Sequence, residues 1–332
     1  MHLVQGIFRT HSESANSERY AHCGKKQNLL FSCVILRADT AVMSRLESVS
    51  TEPPVGGGSP LDLQAMAYEE LGETTQLKKD TVRELRNLIK GEPDLRCPSD
   101  DAFLVKFLRA RKYRVEEAFN TIRKYFRVRQ VHRDIFEDLR PSRVMFDAVF
   151  RRNKLAVVLD ERDDLGRLVA ILKFGAWKPD VCGVIDLFRI GVLGADYFLL
   201  DETTQIAGLV GVLDLEGLSF KHFRHYTPSA VKKLIQLAQD CYPMRIKGVY
   251  VVNNPAIFEI FYRFAKLFLK QKIIERTHFI GRDYEKLHKL IPRERLPEEY
   301  GGTLRNHNYD DLERRLQSME EFFVELGQYG YR

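Results

Sequence analysis

The spacing of apolar positions changes at about residue 154, from a helical period to short β-rich runs. Before that point, "TQLKKDTVRELRNLIKG" places Val82, Leu85 and Ile89 on one face, which predicts an amphipathic helix. Apolar residues at 3.6-residue spacing in "DAFLVKFLRARKYRVEEAFNTIRKYFRVR" then predict two antiparallel helices joined at "RKYRV", with Ser99 as the first N-cap. The first part of the chain is therefore expected to be all-helical.

Beyond residue 154 the pattern predicts strands that alternate with helices. "LAVVLDERDDLGRLVAILKF" indicates a hairpin that turns at Asp164-Leu165-Gly166. Short β-rich runs follow around 208–214, 248–252 and 277–280, and helices are predicted at 182–200, 228–240 and 255–270. This alternation is typical of an α/β fold with a mixed sheet.

The last of these helices, "NNPAIFEIFYRFAKLFLKQK", is apolar over far more than one face. Asn254 suits the N-cap and Pro255 the first helical position, and the polar residues form one narrow, mainly cationic stripe. Two interpretations fit this pattern. It is either an ordinary buried helix with a cationic edge, or a lid whose inner face lines an apolar cavity and whose outer face touches a membrane.

Residues 1–60 lack sustained periodicity and finish in "STEPPVGGGSP", so we expect a disordered extension and linker. Met43 is a possible alternative start, and the apolar "KKQNLLFSCVIL" begins too far from the terminus to favour a secretory signal. The predicted organisation continues with a helical domain over 61–135, an α/β domain over 136–310 and a helical tail over 311–332. Five scattered cysteines and short apolar runs favour a soluble protein of the cytoplasm.

Positive charge is concentrated in two segments of the chain, whose net charge is +6. Residues 96–133 carry eleven Lys and Arg against four carboxylates, and residues 243–276 carry seven against two. Such segregation indicates an anionic partner surface, either a phosphate-bearing lipid or nucleic acid, although a solvated basic face without a partner has the same appearance.

Motifs typical of enzymes are missing: the chain has no G-x-S-x-G, G-x-G-x-x-G, Walker A or H-E-x-x-H sequence. His222 and His225 have a helical spacing that suits a metal, but surface histidines are the commoner explanation. Asp214 and Glu216 end a predicted strand, where they suit either acid–base chemistry or the capping of a turn. We therefore expect no enzymatic activity, no metal and no cofactor.

Three ordered motifs resemble those of the CRAL-TRIO family of lipid-binding proteins. They are "DAFLVKFLRARKYRVEEAF", the stretch from "GVLDLEGLSF" to "ERTHFIG", and "LIPRERLPEEYGG", and the likeness covers about residues 75–310. It is closest to the branch that includes the α-tocopherol transfer protein, the clavesins and the cellular retinaldehyde-binding protein. The resemblance implies a small helical domain followed by an α/β domain, whose sheet floor and mobile helical gate enclose one hydrophobic ligand.

The resemblance also implies a phosphoinositide cleft beside the gate. Carried over by motif, this cleft falls on five cations: Arg111 in "FLRAR", Arg245 and Lys247 in "PMRIKG", and Lys272 and Arg276 in "KQKIIER". The family's Lys and Arg are exchanged at 245 and 247, which preserves charge but alters the geometry of phosphate binding. Because Arg245 and Lys247 alternate, they are predicted to share a strand face at the rim of the sheet.

The ligand pocket implied by the resemblance is apolar, and it lacks a polar anchor. The tocopherol-binding member has serines in the helix equivalent to "DLFRIGVLGADYF", whereas this chain has glycine and alanine there, so tocopherol is not specifically favoured. The predicted pocket residues are Phe188, Gly191, Val192, Ala195, Leu213, Leu234, Leu237, Ala238, Ile257, Phe258, Phe261 and Phe264.

These features predict a monomeric intracellular lipid-binding and transfer protein. Its expected partners are one hydrophobic lipid, tocopherol-, retinoid- or phospholipid-like, and membranes of the endosomal or plasma-membrane type that contain phosphatidylinositol bisphosphate and that it contacts transiently. A membrane sensor or adaptor that does not transfer lipid is the alternative. Nucleic-acid binding is a third, disfavoured class, which predicts a salt-dependent affinity for oligonucleotides.

Overall fold

A helical region precedes a five-stranded sheet in the computed structural model, which describes residues 62–304 and 309–332. The predicted extension over 1–60, the possible start at Met43 and the signal-like segment lie outside the described residues.

The N-terminal helices form where the apolar periodicity predicts them. They are α1 (Leu63–Leu71), α2 (Thr75–Lys90), α3 (Asp101–Ala110), α4 (Val115–Val131) and the single turn α5 (Arg133–Phe136). Leu85, Phe107 and Ile122 are fully buried where α2, α3 and α4 meet. The predicted cap of α3 is wrong by one residue, because the side chain of Asp100 accepts a 2.8 Å hydrogen bond from the Phe103 N–H. A carboxylate there also suits the positive end of the helix dipole.

The central sheet is mixed, as predicted. Its strands lie in the order β2 (Ala156–Val158), β3 (Leu168–Lys173), β4 (Leu209–Asp214), β5 (Ile246–Val252) and β6 (Thr277–Gly281). Strands β2 and β3 form the antiparallel hairpin, while β3 to β6 run parallel through helical crossovers. A separate pair, β1 (Leu95–Arg96) and β7 (Gly330–Tyr331), joins the end of the chain to the helical region.

Helices and short helical turns connect and flank the strands. The α-helices are α6 (Val184–Phe198), α7 (Glu202–Ala207), α8 (Phe220–Phe223), α9 (Pro228–Gln236), α10 (Phe258–Ala265), α11 (Gln271–Glu275), α12 (Tyr284–His288), α13 (Tyr309–Gln317) and α14 (Glu320–Leu326). Two π-helical turns lie at Asp147–Arg152 and Leu237–Cys241, and three 3₁₀ turns lie at Pro141–Arg143, Arg293–Arg295 and Glu298–Tyr300. The predicted 228–240 helix thus comprises α9 and the π-helical turn after it.

The predicted helix over 255–270 is shorter than expected. Regular α-helix begins at Phe258 and ends at Ala265, and Asn254 does not cap it, since its buried Oδ1 accepts no hydrogen bond. The chain leaves β5 through Asn253 at φ 53° and then makes 3₁₀-type bonds, such as Phe258 N–H to the Pro255 carbonyl, before the helix starts. The N-cap of α10 is accordingly Ile257, three residues later than predicted.

The membrane-spanning class was disfavoured by the short apolar runs. Among residues 62–304 and 309–332, no helix combines the length and the apolar content needed to cross a bilayer.

Candidate functional site

Arg245 and Lys247 lie on the same side of the sheet edge, and both bind one carboxylate from the helical region. Arg245 Nη2 donates to Glu70 Oε2 at 2.8 Å, and Lys247 Nζ donates to the same oxygen at 2.7 Å. Glu70 belongs to α1, so this contact joins the first helix to the start of β5. Alternation along the strand explains why two cations reach one oxygen.

A glycine permits the close packing behind these two cations. Gly208 ends α7 at φ 86°, and a Cβ there would lie 2.3 Å from the Arg245 carbonyl oxygen and 2.9 Å from Lys247 Cγ. The next residue, Leu209, donates its N–H to that same carbonyl at 3.0 Å. Only glycine accommodates both the left-handed backbone and the close approach.

Lys272 and Arg276 lie in the same basic cluster, and the fold adds a further cation. Burial lowers the pKa of Lys272 first, and the positive charges of Arg276, Lys112, Arg245 and Lys247 lower it further. Lys112 lies in the α3–α4 turn at φ 49°. We define the basic cleft by Lys112, Arg245, Lys247, Lys272 and Arg276. Sequence reasoning missed Lys112, because its proximity depends on how the turn docks.

Arg111, the fifth residue predicted from the motif, is held somewhat apart from the others. Its Nε donates to Thr121 Oγ1 on α4 at 2.9 Å, and the charged groups that influence its pKa are Glu117, Asp240 and Arg114. Burial lowers the pKa of Arg111 overall. Its membership of an anion site therefore stays a prediction.

The basic cleft carries an excess of positive charge. Burial is the first cause that lowers the pKa of Arg245 and of Lys247, and the ion pairs with Glu70 oppose it. The pKa of Glu70 is lowered because its two cationic partners outweigh its partial burial. The cleft thus has five cations, and the carboxylate of Glu70 pairs with two of them, Arg245 and Lys247.

The other end of β5 lies under the predicted lid. Phe258 of α10 is buried against Leu215 and Val251. Of the predicted pocket residues, Leu213 and Phe261 pack against the same cluster. Helix α10 therefore lies directly on the sheet floor.

The remaining predicted pocket residues differ in exposure. Phe188, Val192 and Leu237 are buried, and Ala195, Ala238, Ile257 and Phe264 are half-buried. Two residues are not enclosed by protein atoms: Leu234 is 40% exposed, and a Cβ at Gly191 would meet no atom within 4 Å.

The far end of the lid is tied to the π-helical turn after α9. Gln239 Nε2 donates to the Phe268 carbonyl at 2.7 Å, and its Oε1 accepts from the Lys270 N–H at 3.0 Å. Lys270 Nζ also lies 2.5 Å from Asp240 Oδ1. This end of the predicted lid is anchored by polar contacts, whereas its start follows the turn at Asn253.

The alternative acid–base pair has a structural explanation. Asp214 is buried and accepts hydrogen bonds from Asn253 Nδ2 at 2.9 Å, Tyr300 Oη at 2.7 Å and the Glu216 N–H at 2.9 Å. Glu216 is exposed and pairs with Arg282. Asp214 thus closes the turn after β4 and anchors the neighbouring chain, as the capping alternative predicts.

The histidine pair does not form a metal site. His222 Nδ1 accepts from the Ser219 N–H at 3.1 Å, which leaves Nε2–H to donate to the Trp177 carbonyl at 2.9 Å. His225 packs edge-on against the Trp177 ring. Within the part of the chain that the structure describes, no group of three or more His, Cys, Asp or Glu side chains could hold a metal ion.

Comparison with known proteins agrees with this architecture. Residues 152–302 match the CRAL/TRIO domain, and residues 67–124 match the CRAL/TRIO N-terminal domain. The crystal structure of Sfh5 superimposes with a TM-score of 0.50 at 18% identity, covering 72% of this chain and 91% of that one, which supports the fold alone.

Similar curated proteins cover most of the chain. The human protein "Alpha-tocopherol transfer protein-like" is 34% identical over 294 residues, which is 87% of this chain and 85% of the relative. Mouse "Clavesin-1" is 32% identical over 284 residues, which is 84% of this chain and 76% of the relative. With both domain models matched in order and relatives of this extent, the chain belongs to the CRAL/TRIO family.

Proposed function

We propose that this protein binds one hydrophobic lipid and transfers it between membranes, without enzymatic activity. The family and the name of the human relative, a tocopherol-transfer-like protein, support a lipid ligand. The ligand would lie under α10 after this helix has moved away from the sheet floor, where Leu213, Phe258 and Phe261 would present an apolar surface.

The main observation behind the proposal is that strand β5 connects two features: the cations lie at its start, and the chain runs from its end into the predicted lid helix. Arg245 lies immediately before strand β5 and Lys247 lies at its start. Near the other end of the strand, Val251 packs beneath Phe258, and the chain then turns at Asn253 into α10. A phosphatidylinositol bisphosphate headgroup bound at the cleft would bias this strand and the lid toward an open state, provided that it binds the open state better.

Lipid extraction and native mass spectrometry of the purified protein identify the ligand class. Transfer is then measured with a fluorescent tocopherol analogue in donor vesicles and with acceptor vesicles that contain or lack phosphatidylinositol 4,5-bisphosphate. We expect faster transfer to the bisphosphate-containing acceptors. Binding to those vesicles without accelerated exchange would instead indicate a sensor or adaptor, and the absence of both lipid and vesicle binding would overturn the proposal.

The proposed setting is the cytoplasm, with transient contact to endosomal or plasma membranes. The half-exposed and exposed apolar residues of the lid, among them Ile260 and Leu267, suit shallow contact with lipid while the neighbouring cations hold headgroups.

A further inference from the structure

Glu70 lies where an external phosphate would have to bind in order to reach Arg245 and Lys247. We propose that Glu70 competes with the phosphates of a phosphoinositide headgroup for Arg245 and Lys247. The carboxylate thereby determines how much negative charge a headgroup needs in order to bind the basic cleft. This inference rests on the proposed function, because it concerns the same cleft and its ligand. It adds a residue that determines headgroup selectivity.

The contact geometry resembles that of a bound anion. One oxygen, Glu70 Oε2, accepts from Arg245 Nη2 at 2.8 Å and from Lys247 Nζ at 2.7 Å. A phosphate oxygen makes the same charge-assisted bonds with guanidinium and ammonium groups. Glu70 and a headgroup phosphate therefore need the same donors.

The order of exposure places Glu70 on the outer side of the pair. The Glu70 side chain is 39% exposed, whereas those of Arg245 and Lys247 are 9% and 17% exposed. An incoming anion consequently reaches these two cations only after Glu70 moves. Because the carboxylate is already partly hydrated, its return to water costs little.

The rest of the cleft is accessible without this movement. Lys112 and Lys272 are exposed, and their positive charges act on the same region as Arg245 and Lys247. A single phosphate can be held by these outer lysines alone. A second phosphate would gain the two less exposed cations, Arg245 and Lys247, by displacing Glu70, so a bisphosphate headgroup can displace Glu70 and a monophosphate gains less by doing so.

Helix α1 does not depend on Glu70 for its position. Asp62 caps the helix, accepting from the Ala65 N–H at 3.0 Å, and Glu73, just beyond its end, makes two bonds to the buried Arg109 at 2.8 and 2.7 Å. A rotation of the Glu70 side chain is therefore enough to open the cleft, and replacing Glu70 should leave the fold intact.

The test compares Glu70→Gln with the matched control Glu69→Gln, an exposed neighbour on the same helix. Binding is measured on phosphatidylcholine vesicles that contain phosphatidylinositol 4-phosphate or phosphatidylinositol 4,5-bisphosphate, and on soluble inositol 1,4,5-trisphosphate. Removing one competing charge should tighten binding to the monophosphate vesicles about fivefold and to the bisphosphate vesicles less. The ratio of the affinity for bisphosphate vesicles to the affinity for monophosphate vesicles should therefore fall. Glu69→Gln should leave this ratio unchanged.

Each arm has a defined meaning. A gain on vesicles assigns the competition to a membrane lipid, and a gain only with the soluble headgroup assigns it to a free inositol phosphate; either supports Glu70 as a competitor. If Glu70→Gln binds as the wild type does, or more weakly, the inference is wrong. Glu70→Ala is measured in parallel and should show the same direction if the effect is due to charge.

The failure of the proposed function is distinguishable from this result. If the wild type does not bind phosphoinositide vesicles and Arg245→Ala/Lys247→Ala does not alter vesicle binding, then the basic cleft does not bind phosphoinositides. If that double variant loses binding while Glu70→Gln is unaltered, only the role of Glu70 is overturned.

Discussion

Arg129 and Arg245 both make ion pairs between the helical region and the sheet region, but their surroundings differ. Arg129 pairs with Asp196, whose carboxylate also accepts from Tyr125 Oη at 2.6 Å and from Tyr242 Oη at 3.1 Å. The side chains of Arg129 and Asp196 are 11% and 2% exposed. This cluster is buried, and each of its cations lies near a carboxylate: Arg129 pairs with Asp196, and Asp196 and Asp100 act on the charge of Lys106.

The basic cleft shows the opposite balance. Arg245 and Lys247 share the partly exposed Glu70, and the charges of Lys112, Lys272 and Arg276 act in the same region, at the end of the sheet where β5 begins. Burial and ion pairing by themselves therefore do not mark a binding site, since the Arg129 cluster has both. A better indication of a binding site is an excess of positive charge that no carboxylate of the protein neutralises.

The largest expected effect is on stability at the buried cluster. Arg129→Met leaves Asp196 buried without its cation, so the free energy of unfolding should fall by about 3–5 kcal/mol. Urea denaturation measures this change. The control Arg133→Met removes an exposed arginine and should be nearly neutral. Equal stability of the two variants would mean that the buried pair contributes nothing specific.

A smaller effect, on binding instead of folding, is expected at the cleft. Arg245→Ala/Lys247→Ala removes two cations, worth about 1 kcal/mol each near an anionic surface, so binding to bisphosphate vesicles should weaken about thirtyfold. Ligand loading should persist. Arg282→Ala/Lys286→Ala, two exposed cations outside the cleft, serves as the matched control. An equal loss in both double variants would show general attraction without a defined site.

The smallest effect concerns Lys106, whose ammonium group lies 4.3 Å from the centre of the Phe103 ring near the Arg129 cluster. Burial is the first cause that lowers the pKa of Lys106. Protonation is then easier in the unfolded chain, so this group destabilises the fold at low pH and less as pH rises toward its ordinary value of 10.5.

Lys106→Met should therefore match or exceed the wild type in stability near pH 7, by about 1 kcal/mol or less, and the difference should shrink by pH 9.5. Denaturation curves at both pH values, with the exposed Lys124→Met as control, check this expectation. A difference that does not change with pH would show that Lys106 does not titrate in this way.

The family fold could be predicted from the sequence in considerable detail. The hairpin, the parallel strands and the helices arise from local patterns, and three motifs indicated the family, which the comparisons confirm. Errors arose where neighbouring residues compete. Asp100 caps α3 in place of Ser99, and after the turn at Asn253 the chain makes 3₁₀-type bonds before the predicted lid helix starts at Phe258.

The site residues divide in the same way. Alternation predicted that Arg245 and Lys247 share a face, and their common bond to Glu70 agrees with that geometry. Nothing in the local sequence pointed to Lys112 or Glu70. The sequence around each of them is the same as that expected around any exposed polar residue.

The sequence by itself determined the elements and the family, because periodicity, capping and β-branched runs act between residues a few positions apart. Only the tertiary structure decided which charges meet. Glu70 and Arg245 are 175 positions apart, and they reach each other because α1 docks beside α7 and the start of β5. That docking is a product of packing across the whole molecule, so whether the cleft is open or covered by its own carboxylate is a property of the folded chain.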